Sequence, residues 1–210
     1  TFALCYGRGH GEDFISEWLR SVLPYKMGLP GVGVAMFFVL SGYLVTKSYM
    51  LRGNFFEFAE SRALRIYPAL IAGLVLIVFV MGPIMTSLPV GEYFSKSGTK
   101  VYFLNNVTLF HPTAYRLPGV FTDNPFPGAN GSLWTLPVEM RMYVIVAILG
   151  LLGILKDRRV FNGVAIGLVM MYLAAPEEFF LLTKSSHERL GLFFLVGALF
   201  CLNFNEKTFT

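Results

Sequence analysis

Long apolar stretches, separated by more polar segments, dominate the pattern of positions along this chain. Five of them stand out, at about 32–50, 66–85, 136–155, 160–175 and 190–202. A helix needs about 20 predominantly apolar residues to cross the hydrocarbon core of a bilayer. The pattern therefore predicts an all-α, polytopic bundle with about five membrane-spanning helices. The stretches are continuous and do not alternate with period two, so they exclude the strands of a β-barrel.

The segments between these spans predict further elements. Apolar residues spaced four apart in segment 8–26 indicate an amphipathic helix at the membrane interface. Aromatic and charged residues mix over 55–62, which predicts a helix on the membrane surface, with Pro68 near the start of the second span. Segment 87–135 is too rich in aromatic residues for a solvated linker, so we expect a folded cap with a helical piece near 101–110.

Composition supports a membrane protein and excludes an ordinary soluble domain. Hydrophobic residues make up 55% of the chain and charged residues 14%, and the mean hydropathy is +0.60. We interpret residues 1–210 as part of a single membrane domain. A net charge of +4 would suit a nucleic-acid partner in a soluble protein. Here the basic residues lie mainly beside the spans, so we expect no nucleic-acid partner.

The basic residues indicate how the chain is oriented. Two groups of them, between the first and second spans and between the third and fourth, would lie on the same side of the membrane: Lys47, Arg52, Arg62, Arg65, Lys156, Arg158 and Arg159. The positive-inside rule makes this side cytoplasmic. The predicted cap at 87–135 would then face outward.

Two arginines at the start of the second span are candidates for binding an anion. Arg62 and Arg65 are three residues apart, which places both guanidinium groups on one face of a helix. Guanidinium groups bind phosphate or carboxylate through two parallel hydrogen bonds. The alternative is that both residues anchor the chain to lipid phosphates at the interface.

Polar residues inside the apolar spans are the other candidates. Ser41 and Gly42 interrupt the first span and form either a notch for a ligand or a contact between helices. Glu139 and Arg141 lie near the start of the third span, where a carboxylate needs a buried partner or a role in function. Trp134 is either an interfacial anchor or a platform for substrate.

Histidines and cysteines give no clear chemical signal. Cys5 and Cys201 are far apart in sequence, and neither has the spacing of a metal site or a redox pair. His10, His111 and His187 each lie in a loop-like segment, which favours solvated residues over a general base. We therefore expect no metal ion and no bound cofactor.

Three motifs occur in order along the chain. FFVLSGYL occupies 37–44, RALRIYP occupies 62–68, and NGSLWTLPVE occupies 130–139, followed by Tyr143. With these motifs, the chain resembles the bacterial integral-membrane acyltransferase-3 family over nearly its whole length. The resemblance implies a multi-pass protein of the bacterial inner membrane. It also implies transfer of an acetyl or other acyl group from cytoplasmic acyl-CoA to a hydroxyl of a cell-surface or lipid-linked carbohydrate.

The resemblance also implies roles for particular residues. Arg62 and Arg65 would bind the phosphates of the donor substrate, acetyl-CoA or another acyl-CoA. Four residues would line the membrane cavity on the acceptor side: Ser41, Gly42, Trp134 and Glu139. The catalytic histidine of the family lies in its first membrane helix, which the resemblance places upstream of Thr1, and His10 does not match it. We therefore expect a fragment that lacks the first helix and the C-terminal helices and is inactive by itself.

Two other functions remain compatible with these residues. A transporter or flippase could use the buried charges to line a path for an anionic solute. The inverted repeats and paired broken helices typical of many transporters do not occur in the sequence. A non-catalytic membrane scaffold would use Ser41 and Gly42 only for packing, which leaves the arginine pair without a distinctive role.

Overall fold

The computed structural model describes residues 18, 21, 29–109, 113–124, 127–174 and 188–204. These residues form eight α-helices: α1 (Leu29–Arg52), α2 (Phe55–Val75), α3 (Gly82–Met85), α4 (Val90–Ser95), α5 (Ser97–Thr108), α6 (Thr135–Leu151), α7 (Arg158–Ala174) and α8 (Glu188–Asn203). A π-helix (Leu76–Met81) joins α2 to α3, and 3₁₀ turns lie at Gly131–Trp134 and Ile154–Lys156. Within the described residues, β structure is limited to one isolated bridge, between Thr86 and Val120. The predicted all-α class is confirmed.

Helices occupy all five of the predicted apolar stretches. Three continuous helical segments are long and apolar enough to cross a membrane: Leu29–Arg52, Phe55–Met85 and Gly131–Leu151. The helices at the fourth and fifth predicted spans are shorter, with 17 residues in α7 and 16 in α8. At 1.5 Å per residue, each of these two covers about 25 Å, a little less than the roughly 30 Å of a hydrocarbon core.

The outer surface of α1 has the apolar character expected of a helix that faces lipid. Met36, Leu40 and Leu44 are spaced four apart, and between 49% and 62% of each side chain is exposed. Phe38 and Val45 on the same helix are buried. Because both faces are apolar, hydrophobicity alone does not distinguish the lipid-facing side from the packed side of this helix.

The second predicted span begins earlier than its apolar pattern indicated. Residues 55–62 are helical as predicted, but they do not form a separate helix and Pro68 does not lie near a helix start, since α2 runs without interruption from Phe55 to Val75 with Pro68 in its interior. No glycine or proline separates Phe55 from Ile66, so nothing in the sequence ends the helix there. The charged residues of this segment therefore belong to the same continuous helix as the apolar run.

One compact unit consists of Trp18–Arg62 and Val138–Thr210, and we call it the α1/α8 unit. Helices α1 and α8 of this unit cross closely at a pair of glycines. A Cβ atom at Gly42 would overlap the backbone of Phe194, and one at Gly197 would overlap the backbone of Val39. Small residues of this kind let two membrane helices approach until their backbones touch.

The other unit consists of Thr1–Glu17 and Ala63–Pro137, and we call it the cap unit. The predicted helical piece at 101–110 coincides with most of α5. Tyr93 and Tyr102 are fully buried, and the Tyr93 hydroxyl donates to the Val78 carbonyl in the π-helix at 3.0 Å. The predicted amphipathic helix at 8–26 lies outside the described residues, apart from Trp18 and Ser21.

Candidate functional site

Arg62 lies at the centre of a polar cluster in the α1/α8 unit. This half-buried residue on α2 donates from Nη2 to the Ser48 hydroxyl at 3.2 Å and from Nε to the Ser61 hydroxyl at 3.3 Å. Its guanidinium carbon lies 5.6 Å from the centre of the Tyr143 ring and 5.7 Å from that of Phe58. Both distances fall within the range of a cation–π interaction. The guanidinium group is thus held by aromatic rings as well as by hydroxyl groups.

Tyr143 connects Arg62 to a buried carboxyl group. The Tyr143 hydroxyl donates to Oε1 of Glu139, one turn earlier on α6. The exposed fraction is 5% for Glu139 and 3% for Tyr143. Burial of a carboxylate is costly unless hydrogen bonds or opposite charges compensate. The hydrogen-bond partner of Glu139 is therefore a tyrosine on its own helix, whereas the spacing of Glu139 and Arg141 predicts partners on other helices.

The turn between α1 and α2 positions these side chains. Gly53 has a φ of +63°, a conformation that ends a helix and that glycine adopts without strain. The Asn54 side chain accepts a hydrogen bond from the Phe56 amide at 2.9 Å and caps the start of α2. Across this turn the rings of Tyr49 and Phe58 meet edge to face, with centres 5.1 Å apart. Two residues are therefore enough to bring the end of α1 against the first turns of α2.

Ser48 and Arg52 extend the cluster towards the end of α1. Arg52 is the last residue of that helix and donates from Nη1 to the Ser48 hydroxyl at 2.9 Å. Hydrogen bonds and ring contacts thus form a continuous polar line that runs through Arg52, Ser48, Arg62, Tyr143 and Glu139. The sequence predicts Arg62 and Glu139 as site residues but not Ser48 or Arg52, although the spacing of four residues between these two is a signal of a contact on one helix face.

The other predicted site residues have different surroundings. Ser41 is buried on α1, and Gly42 packs against the α8 backbone, which is the alternative of a helix contact raised above. Arg141 is half-buried on α6. Arg65 and Trp134 belong to the cap unit, where Arg65 is exposed and Trp134 is half-buried in a 3₁₀ turn. Of the residues predicted for the site, Arg62 and Glu139 are brought into one cluster through Tyr143.

An apolar cavity of about 70 Å³ lies in the same unit. Its walls come mainly from α6 and α8, with Thr46 of α1 and Phe161 of α7. The Thr46 hydroxyl is buried and has no hydrogen-bond partner among the described residues. This cavity differs in chemistry from the polar line, since its lining side chains other than Thr46 are apolar.

Possible metal ligands are sparse in the described part of the chain. No group of three or more histidine, cysteine, aspartate or glutamate residues there is arranged to hold a metal ion. Cys201 is a half-buried free thiol on α8. Cys5, His10, His111 and His187 lie outside the described residues, so the predictions made for them remain predictions.

Comparisons with known proteins identify relatives of this sequence. The profile of a family described as "Acyltransferase domain" matches residues 4–210. An O-acetyl transferase of Shigella phage Sf6 is 34% identical over 128 residues, which cover 60% of this chain and 37% of the relative. Nodulation protein 10 of Rhizobium leguminosarum bv. viciae is 36% identical over 147 residues, 66% of this chain and 37% of that protein. The chain thus spans little more than a third of the length of these curated relatives. No solved structure matches it.

Proposed function

This chain belongs to the acyltransferase-3 family, and we propose that the complete protein moves an acetyl group from cytoplasmic acyl-CoA to a hydroxyl group of a cell-surface or lipid-linked carbohydrate. The family assignment and the O-acetyl transferase of phage Sf6 support an acyltransferase. The observation that carries the proposal is the polar line from Arg52 to Glu139 through helices apolar enough to cross a membrane. Charged side chains inside membrane-spanning helices usually serve a site or a pathway.

We propose that the donor binds at the arginine end of this line. Arg62 and Arg65 would contact the phosphates of acyl-CoA, which carries several negative charges and stays on the side where it is made. The positive-inside rule places this end of α2 in the cytoplasm. The rings of Phe58 and Tyr143 restrict the Arg62 guanidinium group, so less side-chain entropy is lost when a phosphate binds.

We propose that the acceptor reaches the other end of the line. Acyl transfer from a thioester requires removal of the hydroxyl proton of the sugar and stabilisation of the oxyanion that forms on the thioester carbonyl. Glu139, Ser41 and Trp134 would contact the acceptor, whereas the face of Gly42 is occupied by the α8 backbone. The catalytic base would be the histidine that the resemblance places upstream of Thr1, and no step requires a metal or a bound cofactor.

The proposed setting is the bacterial inner membrane. Family and apolar helices support a multi-pass membrane protein. The inner membrane follows from the donor, because acyl-CoA is a cytoplasmic metabolite and the carbohydrate acceptor lies in or beyond the same membrane.

The proposal is tested with membranes that contain the full-length protein and radiolabelled acetyl-CoA. We expect label in a glycan fraction, and about a ten-fold or greater loss of labelling for Arg65→Ala and for Glu139→Gln, because each removes a charged contact. Arg158→Ala removes an exposed arginine of the α1/α8 unit and serves as the control, with unchanged labelling. Uptake of an anionic solute without any labelled glycan would support the transporter alternative and contradict the enzyme.

A further inference from the structure

The apolar cavity of the α1/α8 unit has one polar group in its wall. Thr46 of α1 lines the cavity, and its side chain is fully buried. A threonine inside a helix often donates to the carbonyl group four residues earlier. The Thr46 hydroxyl makes no such bond and has no other hydrogen-bond partner among the described residues. Because buried hydroxyl groups are rarely left unpaired, this wall indicates a ligand that accepts a hydrogen bond.

The volume of the cavity limits what this ligand can be. An apolar cavity of about 150 Å³ holds one benzene molecule, so the 70 Å³ or so of this cavity corresponds to about three heavy atoms. A water molecule would need about two to four polar partners, whereas Thr46 supplies the only hydroxyl group among the lining side chains. The cavity therefore suits a small apolar group that carries one acceptor oxygen.

The cavity lies beside the polar line. Met142 in its wall directly precedes Tyr143 on α6, and consecutive helix residues differ by about 100° in direction and about 1.5 Å in height. The cavity and Tyr143 thus occupy neighbouring faces of one helix at the same depth. Ile145, Leu149 and Leu195 line the cavity and are only half-buried, so a ligand can enter from the surface of the unit.

We propose that this cavity binds the acyl group of the donor, with the Thr46 hydroxyl donating to its carbonyl oxygen. This inference rests on the proposed function and adds a position for the group that is transferred. An acetyl group is a methyl group joined to a carbonyl, which matches the small volume, the apolar walls and the single donor. The cavity then restricts transfer to acetyl and to acyl groups of similar length.

Replacement of Thr46 tests the hydrogen bond to the acyl group. Thr46→Val keeps the shape of the side chain and removes the hydroxyl. In membranes that contain the full-length protein, we expect labelling from acetyl-CoA to fall about five-fold, while the thermal midpoint stays the same or rises because an unpaired hydroxyl is lost. Thr46→Ser keeps the hydroxyl and should restore labelling to within about two-fold of the parent. A fall in stability with unchanged labelling would show a structural role and contradict the proposal.

Gly191 allows the cavity to be made smaller without a clash. This glycine lines the cavity, and a Cβ atom there would lie 3.7 Å from Cε of Met142, an ordinary contact. We expect Gly191→Ala to keep or raise stability, because alanine favours helices, and to lower acetyl labelling about five-fold. Gly167→Ala on α7 has open space around it and lies outside the cavity wall, so labelling should not change.

A larger cavity should accept a longer acyl group. Leu195→Ala removes part of the wall, and we expect it to raise labelling from butyryl-CoA, relative to acetyl-CoA, about ten-fold. An unchanged preference in this variant would contradict a role of the cavity in the choice of acyl group.

A binding measurement distinguishes failure of this inference from failure of the proposed function. Acetyl-CoA and coenzyme A are titrated into the full-length protein in nanodiscs, and we expect acetyl-CoA to bind about five-fold more tightly. Thr46→Val should abolish this difference. If the difference is present but no glycan is labelled, the cavity site stands and the proposed function fails. If glycan is labelled but Thr46→Val and Gly191→Ala behave as the parent does, this inference alone is wrong. A protein that binds neither ligand contradicts both.

Discussion

At the scale of single residues, burial of the Glu139 carboxyl group carries a free-energy cost that its surroundings have to offset. It is buried on α6, and Tyr143 satisfies it by a hydrogen bond from the next turn of the same helix. A hydrogen bond to a charged group contributes more than a neutral one, about 1.5–3 kcal/mol. The tyrosine ring also contacts Arg62, so the Tyr143 side chain connects the Glu139 carboxyl group to the Arg62 guanidinium group.

Replacement of Tyr143 by phenylalanine tests this link. Tyr143→Phe keeps the ring and its contact with Arg62 but leaves Glu139 without this donor. We expect the full-length protein to lose about 1.5–3 kcal/mol of stability and to label glycan more slowly. Thermal unfolding in detergent and the acetyl-transfer assay measure the two effects.

Tyr102→Phe is the matched control for that variant. The Tyr102 hydroxyl is buried but has no hydrogen-bond partner among the described residues, so its removal should leave stability unchanged or slightly higher. If Tyr102→Phe were as destabilising as Tyr143→Phe, the hydrogen bond to Glu139 would not be the reason for the loss.

Tyr102 also predicts a dependence on alkaline pH. Burial, with a smaller effect from the nearby Tyr93, raises the pKa of Tyr102 from its usual 10.0 to about 12. The folded state then holds this proton more tightly than the unfolded state does. The contribution of Tyr102 to the free energy of unfolding is therefore fully present below pH 10 and is lost as the pH rises from about 10 to about 12. Thermal unfolding measured across this range should show a fall for the parent protein that is smaller for Tyr102→Phe, and identical slopes would contradict the assignment.

At the scale of elements, the crossing of α1 and α8 depends on the absence of side chains. Gly42 faces the Phe194 backbone and Gly197 faces the Val39 backbone. Each helix thus supplies one glycine against the main chain of the other. The Ser41-Gly42 pair in the sequence indicated either a packing contact or a ligand notch, and the glycine of the pair is used for packing.

Gly42→Ala should therefore separate the two helices. A methyl group there cannot fit unless the α8 backbone moves, and such overpacking costs about 1–3 kcal/mol. Gly33→Ala on the same helix has open space around it and should be neutral or slightly stabilising, because alanine favours helices. Thermal unfolding of both variants in detergent checks this, and equal midpoints would show that the close contact is not required.

Much of the element structure could be predicted from the sequence, because hydrophobic length is a local signal. All five apolar stretches are helical, and the helix in 101–110 was recognised from its composition. The predicted start of α2 was too late, because the helix begins ahead of its apolar run and no glycine or proline separates Phe55 from Ile66. Pro68 does not mark the start of the helix either, because prolines are commoner inside membrane helices than inside soluble ones.

At the scale of the whole molecule, the candidate site was predictable only in part. Arg62 and Glu139 stand out because charges in apolar helices are rare. Their connection through Tyr143 and the addition of Ser48 and Arg52 depend on contacts between helices, which residue spacing within one helix does not reveal. Whether Ser41, Trp134 and Arg65 take part in binding stays a prediction for the acetyl-transfer assay.

The π-helix at Leu76–Met81 has a consequence for how this protein is aligned with its relatives. A π turn holds about one more residue than an α turn, and each residue of an α-helix advances the side-chain direction by about 100°. A relative that lacks one residue in this segment would regain a regular α-helix, in which a full turn takes one residue fewer, and Gly82, which lies under the Tyr93 hydroxyl, would keep its direction. A single-residue gap at this point of an alignment is thus absorbed within the segment, whereas a gap elsewhere in the helix would rotate everything that follows it.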